Sequence, residues 1–184
     1  MSKIIIEKYN PQWEQEFLKA QKFYQSLLHN IDCEIVHVGS TAIKGLWAKP
    51  ILDIDIIANN TIDMSLMIDL LKSVGYQHLG DLNVKGREAF SYDLNNPQIN
   101  WMNHHLYLCL KGNENLRNHL LLKKHLTNNQ EACKRYSQLK IQLAKQYSDD
   151  IDKYIAGKTA LILEFLKAEG LENEALKNIA AINK

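Results

Sequence analysis

Two aspartates, Asp53 and Asp55, stand at alternate positions of the apolar run "PILDIDIIA", and Asp53 comes thirteen residues after Ser40 of a Gly39-Ser40 pair. In an extended strand alternate side chains share a face, so the two carboxylates lie with their Cβ atoms about 7 Å apart. Two half-buried acids that close repel, and one pKa rises unless a cation lies between them. Mg²⁺ is such a cation: it takes one or two protein carboxylates and completes its shell with water and phosphate oxygens. The Gly-Ser pair offers the other half of that chemistry. Backbone N–H groups and the hydroxyls of Ser40 and Thr41, at the start of a short helix, can cradle phosphate oxygens. The acids also admit a plainer reading, an edge strand whose solvent face they keep soluble.

Elements that would position these residues can be read along the chain. "IIIEKY" (4–9) is a short strand candidate, and Asn10 as N-cap with Pro11 at the first helical position opens a helix to about Asn30. Its apolar positions Trp13, Phe17, Ala20 and Tyr24 recur at three- and four-residue steps. "CEIVHVG" (33–39) reads as a strand ending at Gly39, and "ILDIDIIA" (51–58) as the next. Thr61 is expected to cap a helix through about Val74, with Gly75 just past its end. Short β-prone runs separated by turn residues, "YQHLG", "EAFSYDL" and "NHHLYLCL", suit antiparallel strands. From 113 onward the pattern is helical, in four runs, with Asp149 expected to cap the third. An α+β fold follows: a small mixed or antiparallel sheet, about 1–111, with helices packed on it and a C-terminal helical segment, about 112–184, in a single domain.

The chain has 184 residues, 46% hydrophobic and 23% charged, enough for one proper core and typical of a globular protein. Its net charge of +1 gives no global field for nucleic acid or membrane. The balance is uneven, however: residues 111–184 carry 13 Lys+Arg against 9 Asp+Glu, a possible basic face and otherwise an ordinary solvated surface. Cys33, Cys109 and Cys133 lie far apart without CxxC spacing, which argues for a reducing compartment. With no signal-like start and no apolar run of about 18 residues, a cytoplasmic location is expected.

A Gly-Ser turn followed by an Asp-hydrophobic-Asp strand resembles the signature of the polymerase-β-like nucleotidyltransferases. The longer block "EIVHVGSTAIKGLWAKPILDIDI" looks like the hallmark of the GrpB-like family, a branch of that superfamily, and the likeness continues in "REAF", "HHLYL", "LRNHLLLKKHL", "YSQLK" and "YIAGKTALI". Two positions depart from the family pattern. Lys44 replaces a proline before Gly45, adding a cation beside the presumed phosphate site, and Tyr107 replaces the second histidine of a His-x-His strand, leaving His105.

The resemblance implies a nucleotidyltransferase-type fold, metal binding by Asp53 and Asp55, and phosphate binding by Gly39, Ser40 and Thr41. The catalytic set it suggests is Asp53, Asp55 and His105, with Mg²⁺ or Mn²⁺ as cofactor. Lys49 and Arg87 are further phosphate candidates, by charge and position, each equally readable as a surface cation. Active members of the superfamily commonly add a third carboxylate from a later strand. Glu88 and Asp93 are the candidates here, either of them equally an exposed strand acid, and His105 could serve as base in their place. His37 reads as a core histidine or a ligand, and Trp47 as a base-stacking ring or a plug for its loop. His119 and His125, six apart on one helix, share no face and suggest no metal site. The expected function is nucleotidyl transfer from an NTP to an unknown acceptor. The alternative is an inactive nucleotide-binding or regulatory module. An RNA-binding role for the basic helices is possible but less favoured.

Overall fold

The computed structural model describes residues 3–182. Helix α1 (Gln12–Leu27) begins one residue after Pro11, while the Asn10 side chain accepts a hydrogen bond from the Gln12 N–H at 3.0 Å. It buries the apolar stripe Trp13, Phe17, Ala20 and Tyr24 that its spacing announced. The segment before it is not a strand. Residues 4–9 make a single bridge, Glu7 to Ala48, because no neighbouring strand edge runs alongside them.

Strand β1 (Cys33–Val38) runs into a 3-10 turn (Ser40–Ala42), and β2 (Leu52–Ala58) follows. Helix α2 (Thr61–Ser73) is capped by Asn60, one residue earlier than expected: its amide oxygen accepts from the Ile62 and Asp63 N–H groups. Gly75 takes φ +92° just past the helix end, a conformation that glycine adopts without a Cβ penalty. Strands β3 (Tyr76–Gly80), β4 (Arg87–Tyr92) and β5 (His104–Leu110) complete a sheet of order β1-β2-β5-β4-β3. It is mixed. β2 and β5 pair in parallel and the other neighbours are antiparallel.

Register separates the two faces. Leu52, Ile54, Ile56 and Ala58 of β2, with Leu106 and Leu108 of β5, join α1 and α2 in the main core. The opposite face carries Asp53, Asp55 and Ile57 beside His105, Tyr107 and Cys109. Over that face lie α3 (Glu114–Asn128), α4 (Gln130–Gln146), α5 (Ile151–Ala168) and α6 (Asn173–Ile182). Helix α5 is capped by Asp150, whose carboxylate accepts from the Lys153 N–H, rather than by Asp149. A second core, in which Ile43 and Leu46 meet Leu126, Tyr136 and Phe165, fixes these helices onto the β1–β2 connection. Burying this set removes several large apolar side chains from water, each worth about 1.5–3 kcal/mol. The helices are thereby held against the turn that carries Ser40. No helix among the described residues is long and apolar enough to cross a membrane.

Candidate active site

Asp53 and Asp55 are differently placed on their shared face. Asp55 is fully buried, and its Oδ2 accepts a hydrogen bond from His119 Nδ1 at 2.8 Å. Its Oδ1 is buried without a hydrogen-bond partner among the described residues. Asp53 is partly exposed, and its Oδ1 is 2.9 Å from His105 Nδ1. For His119, burial lowers the pKa, but the hydrogen bond and charge of Asp55, with the charge of Asp53, outweigh it and leave the pKa raised. A buried carboxylate oxygen with no donor is costly unless a cation or a ligand completes it. That orphaned oxygen fits a hard cation that takes one or two protein carboxylates. Among the described residues no group of three or more His, Cys, Asp or Glu is arranged around one metal position.

Gly39 explains how Ser40 comes so close to these acids. Its φ is +69°, and a Cβ there would overlap the Asp53 Oδ2, so only glycine lets the chain pass. Ser40 Oγ then accepts a hydrogen bond from Lys140 Nζ at 3.0 Å. Ser40 and Asp53 open into a cavity of about 640 Å³, lined also by Lys123, Lys158, His119 and Tyr107. Lys123, Lys140 and Lys158 come from three different helices, and none forms an ion pair among the described residues. Burial pulls the Lys140 ammonium down to about 7, with the nearby Lys158 charge adding to the fall. Burial likewise brings Lys158 down to about 8 against the pull of Asp53, and it lowers Lys123. Lys140 is buried, while Lys123 and Lys158 are half-buried, and the Lys123 ammonium donates to the His37 carbonyl at 2.8 Å.

Other residues singled out by the sequence are dispersed. Thr41 is 2% exposed and its hydroxyl is taken by His37 Nε2 at 2.9 Å and the Ile51 carbonyl, so it braces the loop from inside. His37 lies on the opposite face of β1 and stacks on Phe17, which makes it a core histidine. Lys49 does not line the cavity, though its charge reaches Lys158. Arg87 lies 4.6 Å over the Tyr107 ring and donates to Asn115 Oδ1 at 3.3 Å. Glu88 faces the other side of the sheet and binds His78 at 2.6 Å, and Asp93 is exposed in a turn where it accepts from the Asn95 N–H. Neither supplies a third carboxylate. The β5 positions facing the aspartates hold His105 and Tyr107 instead. Lys44 points outward toward Glu14 at 3.9 Å, not to the cavity. Trp47 donates its backbone N–H to Ser137 Oγ and its ring lies beneath Lys8, so it anchors its loop.

Residues 3–168 match the family described as GrpB protein. The chain belongs to the GrpB family. It is 29% identical to glutamate-rich protein GrpB of Alkalihalophilus pseudofirmus, covering 89% of this chain and 94% of that one. It is 31% identical to the protein YqkA of Bacillus subtilis over 85% of this chain, but spans only 44% of YqkA. The crystal structure of conserved protein GrpB from Enterococcus faecalis superposes with a TM-score of 0.76 at 28% identity, covering 95% of this chain and 98% of the other. The structure of Cid1 in complex with its short product ApU superposes with a TM-score of 0.53 at 16% identity, over 75% of this chain and 42% of that one. The sheet-and-helix fold is therefore shared with conserved protein GrpB and with Cid1.

Within this GrpB fold, the sequence reading missed His119 and the lysines. His119 shares no face with His125 and meets instead a partner 64 residues away on β2, which spacing along one helix does not reveal. Lys140 and Lys158 sat inside the family-like blocks "YSQLK" and "YIAGKTALI", which was the signal available. On helical faces their spacing is equally that of solvated charge.

Proposed function

We propose that this GrpB chain is a metal-dependent nucleotidyltransferase, moving a nucleotidyl group from a nucleoside triphosphate to an acceptor. The reading is carried by one observation: Ser40, Asp53 and two unpaired lysines open into a single cavity, with Lys140 bound to Ser40 behind it. The lysines and the Ser40 hydroxyl would bind the triphosphate, the lysines by charge and the serine by orienting one phosphate oxygen. Asp53 and Asp55 would hold Mg²⁺ or Mn²⁺, Asp53 from the cavity wall and Asp55 through its buried, unpartnered Oδ1. When bound, the ion neutralises charge on the phosphate oxygens as the transfer proceeds. His105 and His119 orient the two carboxylates by their hydrogen bonds, as the outer partners of metal ligands do elsewhere. An acceptor oxygen forms the new bond to the α-phosphorus while the bond to the bridging oxygen breaks. Pyrophosphate leaves and the acceptor proton passes to water. The shared fold supports this reading, since Cid1 is seen with a nucleotide product.

A second reading, a nucleotide-binding module without turnover, is favoured by the absence of a third carboxylate from β4 or β5 among the described residues. One experiment separates the two. Thermal stability is measured with each of the four NTPs and Mg²⁺ or Mn²⁺, alongside pyrophosphate release, for wild type, Asp53→Asn and Asp55→Asn. Transfer predicts metal-dependent stabilisation and turnover, both lost in the variants. Stabilisation without pyrophosphate from any acceptor selects the binding module. Full activity in the variants removes the metal assignment.

A further inference from the structure

We propose that the acceptor occupies a second cavity on the same face of the sheet, and that it is an uncharged molecule with an apolar body and a hydroxyl group. The proposal rests on the first cavity being the NTP site. The second has a volume of about 390 Å³ and lies along β3, β4 and β5. Tyr107 lines both cavities, and His105, which lines the second, is hydrogen-bonded to Asp53 of the first. A hydroxyl at that junction is therefore beside the aspartates. The hollow exists because β4 places small side chains, Ala89 and Ser91, on this face, while α3 packs over β1 at the far side of the sheet.

Its chemistry contrasts with that of the first cavity. Among the described residues no Lys, Arg, Asp or Glu lines it, and Ser91 and Asn103 offer neutral hydrogen-bonding groups. A nucleic-acid acceptor would need cations along its path, since phosphate contacts supply most of its binding. The rim is instead apolar: Leu79, Leu82 and Leu94 are 47%, 53% and 70% exposed. Large aliphatic side chains gathered in water mark a contact surface. Leu82 holds φ of 47°, a strained conformation for a leucine, next to Asn83 at 63°, which asparagine tolerates. That loop forms the partition, with Leu82 turned into the second cavity and Asn83, Val84 and Lys85 lining the first. In the transfer, the acceptor hydroxyl oxygen bonds to the α-phosphorus, the bond from phosphorus to the bridging oxygen breaks, pyrophosphate departs and the hydroxyl proton goes to water.

The test uses the full chain with 2-(2-naphthyl)ethanol as probe, followed by its fluorescence, and a short oligouridylate as competitor. The wild type is expected to bind the probe saturably, and the double variant Leu82→Gln, Leu94→Gln to bind it about tenfold more weakly. That variant should keep its NTP-dependent thermal stabilisation, whereas Lys158→Gln should lose stabilisation and keep the probe. With NTP and Mg²⁺ the probe should raise pyrophosphate release in the wild type. Unchanged probe affinity in the leucine variant overturns the acceptor cavity alone, and absent NTP stabilisation in the wild type overturns the NTP site alone. Displacement of the probe by oligouridylate, or extension of that oligomer, overturns the choice of acceptor. A wild-type dimer that the leucine variant dissociates would show the rim to be a self-interface and overturn it as well.

Discussion

Lys140 Nζ and Ser40 Oγ meet at 3.0 Å across 100 residues of sequence, tying helix α4 to the turn between β1 and β2. The lysine is 2% exposed and lies 4.6 Å over the Tyr136 ring. Its ammonium is held in the protein at the expense of water, which is why the pKa falls to about 7.

Nucleotide affinity should therefore depend on pH. Lys140 is half protonated near pH 7 in the free protein, and the charge of Asp53 opposes the lowering effects of burial and Lys158. A bound triphosphate favours the charged form, so binding takes up a proton above pH 7 and weakens as pH rises from about 7 to 9. Calorimetric titrations with NTP in two buffers of different ionisation heat should show the uptake at pH 8. Lys140→Met should abolish it.

Gly39→Ala should cost both stability and nucleotide binding. The backbone at φ +69° and ψ −169°, a region essentially confined to glycine, alone costs about 1–3 kcal/mol for a residue with a Cβ, and the methyl would displace the Asp53 carboxylate. Urea unfolding gives the first quantity and thermal shift with NTP the second. An alanine variant of wild-type affinity would contradict the tight passage of Gly39 past Asp53.

His104 makes the core sensitive to acid. The Trp101 Nε1–H donates to its Nδ1 at 3.2 Å, so its proton sits on Nε2, 2.8 Å from the Tyr76 hydroxyl. Burial lowers the pKa to about 4, helped by His105 and opposed by the Met102 carbonyl. A histidine whose folded pKa lies below its unfolded value binds its proton first in the unfolded chain. Stability should fall as pH drops from about 6.5 to 4 and level off below that. His37, also lowered to about 4, adds to the same window. Urea midpoints against pH should follow this course, and His104→Gln should flatten part of it at a lower overall stability.

Gly157→Ala should destabilise the protein although it lies inside a helix. A Cβ there would come within 2.5 Å of Leu143 on α4, so this glycine lets α5 lie close enough for Lys158 to reach the cavity. Overpacking of this kind costs about 1–3 kcal/mol, against a gain of about 1 kcal/mol in helix propensity. A net loss of about 1 kcal/mol by urea unfolding is expected, with weaker NTP stabilisation.

Much of this architecture was legible from residue types and spacing. The stripe of Trp13, Phe17, Ala20 and Tyr24 became the buried face of α1, and alternation placed Asp53 and Asp55 together on one face of β2. Periodicity is a local property, so it survives folding wherever the tertiary environment agrees with it. Helix starts were less secure: Asn60 rather than Thr61, and Asp150 rather than Asp149, took the caps, because adjacent polar residues compete for the same N–H groups. Residues 4–9 had strand composition but only one bridging partner, Ala48.

The sequence alone determined the Gly39-Ser40 turn, the paired aspartates and the family to which they belong, because those residues act through short spacings along the chain. Only the tertiary structure decided that Asp55 is oriented by His119, that Glu88 and Asp93 lie elsewhere, that Lys123 and Lys158 line the cavity with Ser40, and that Lys140 binds Ser40 from behind it. Those relations depend on which helix face meets which strand, and that is set by the packing of Ile43 and Leu46 against the helices rather than by any local pattern.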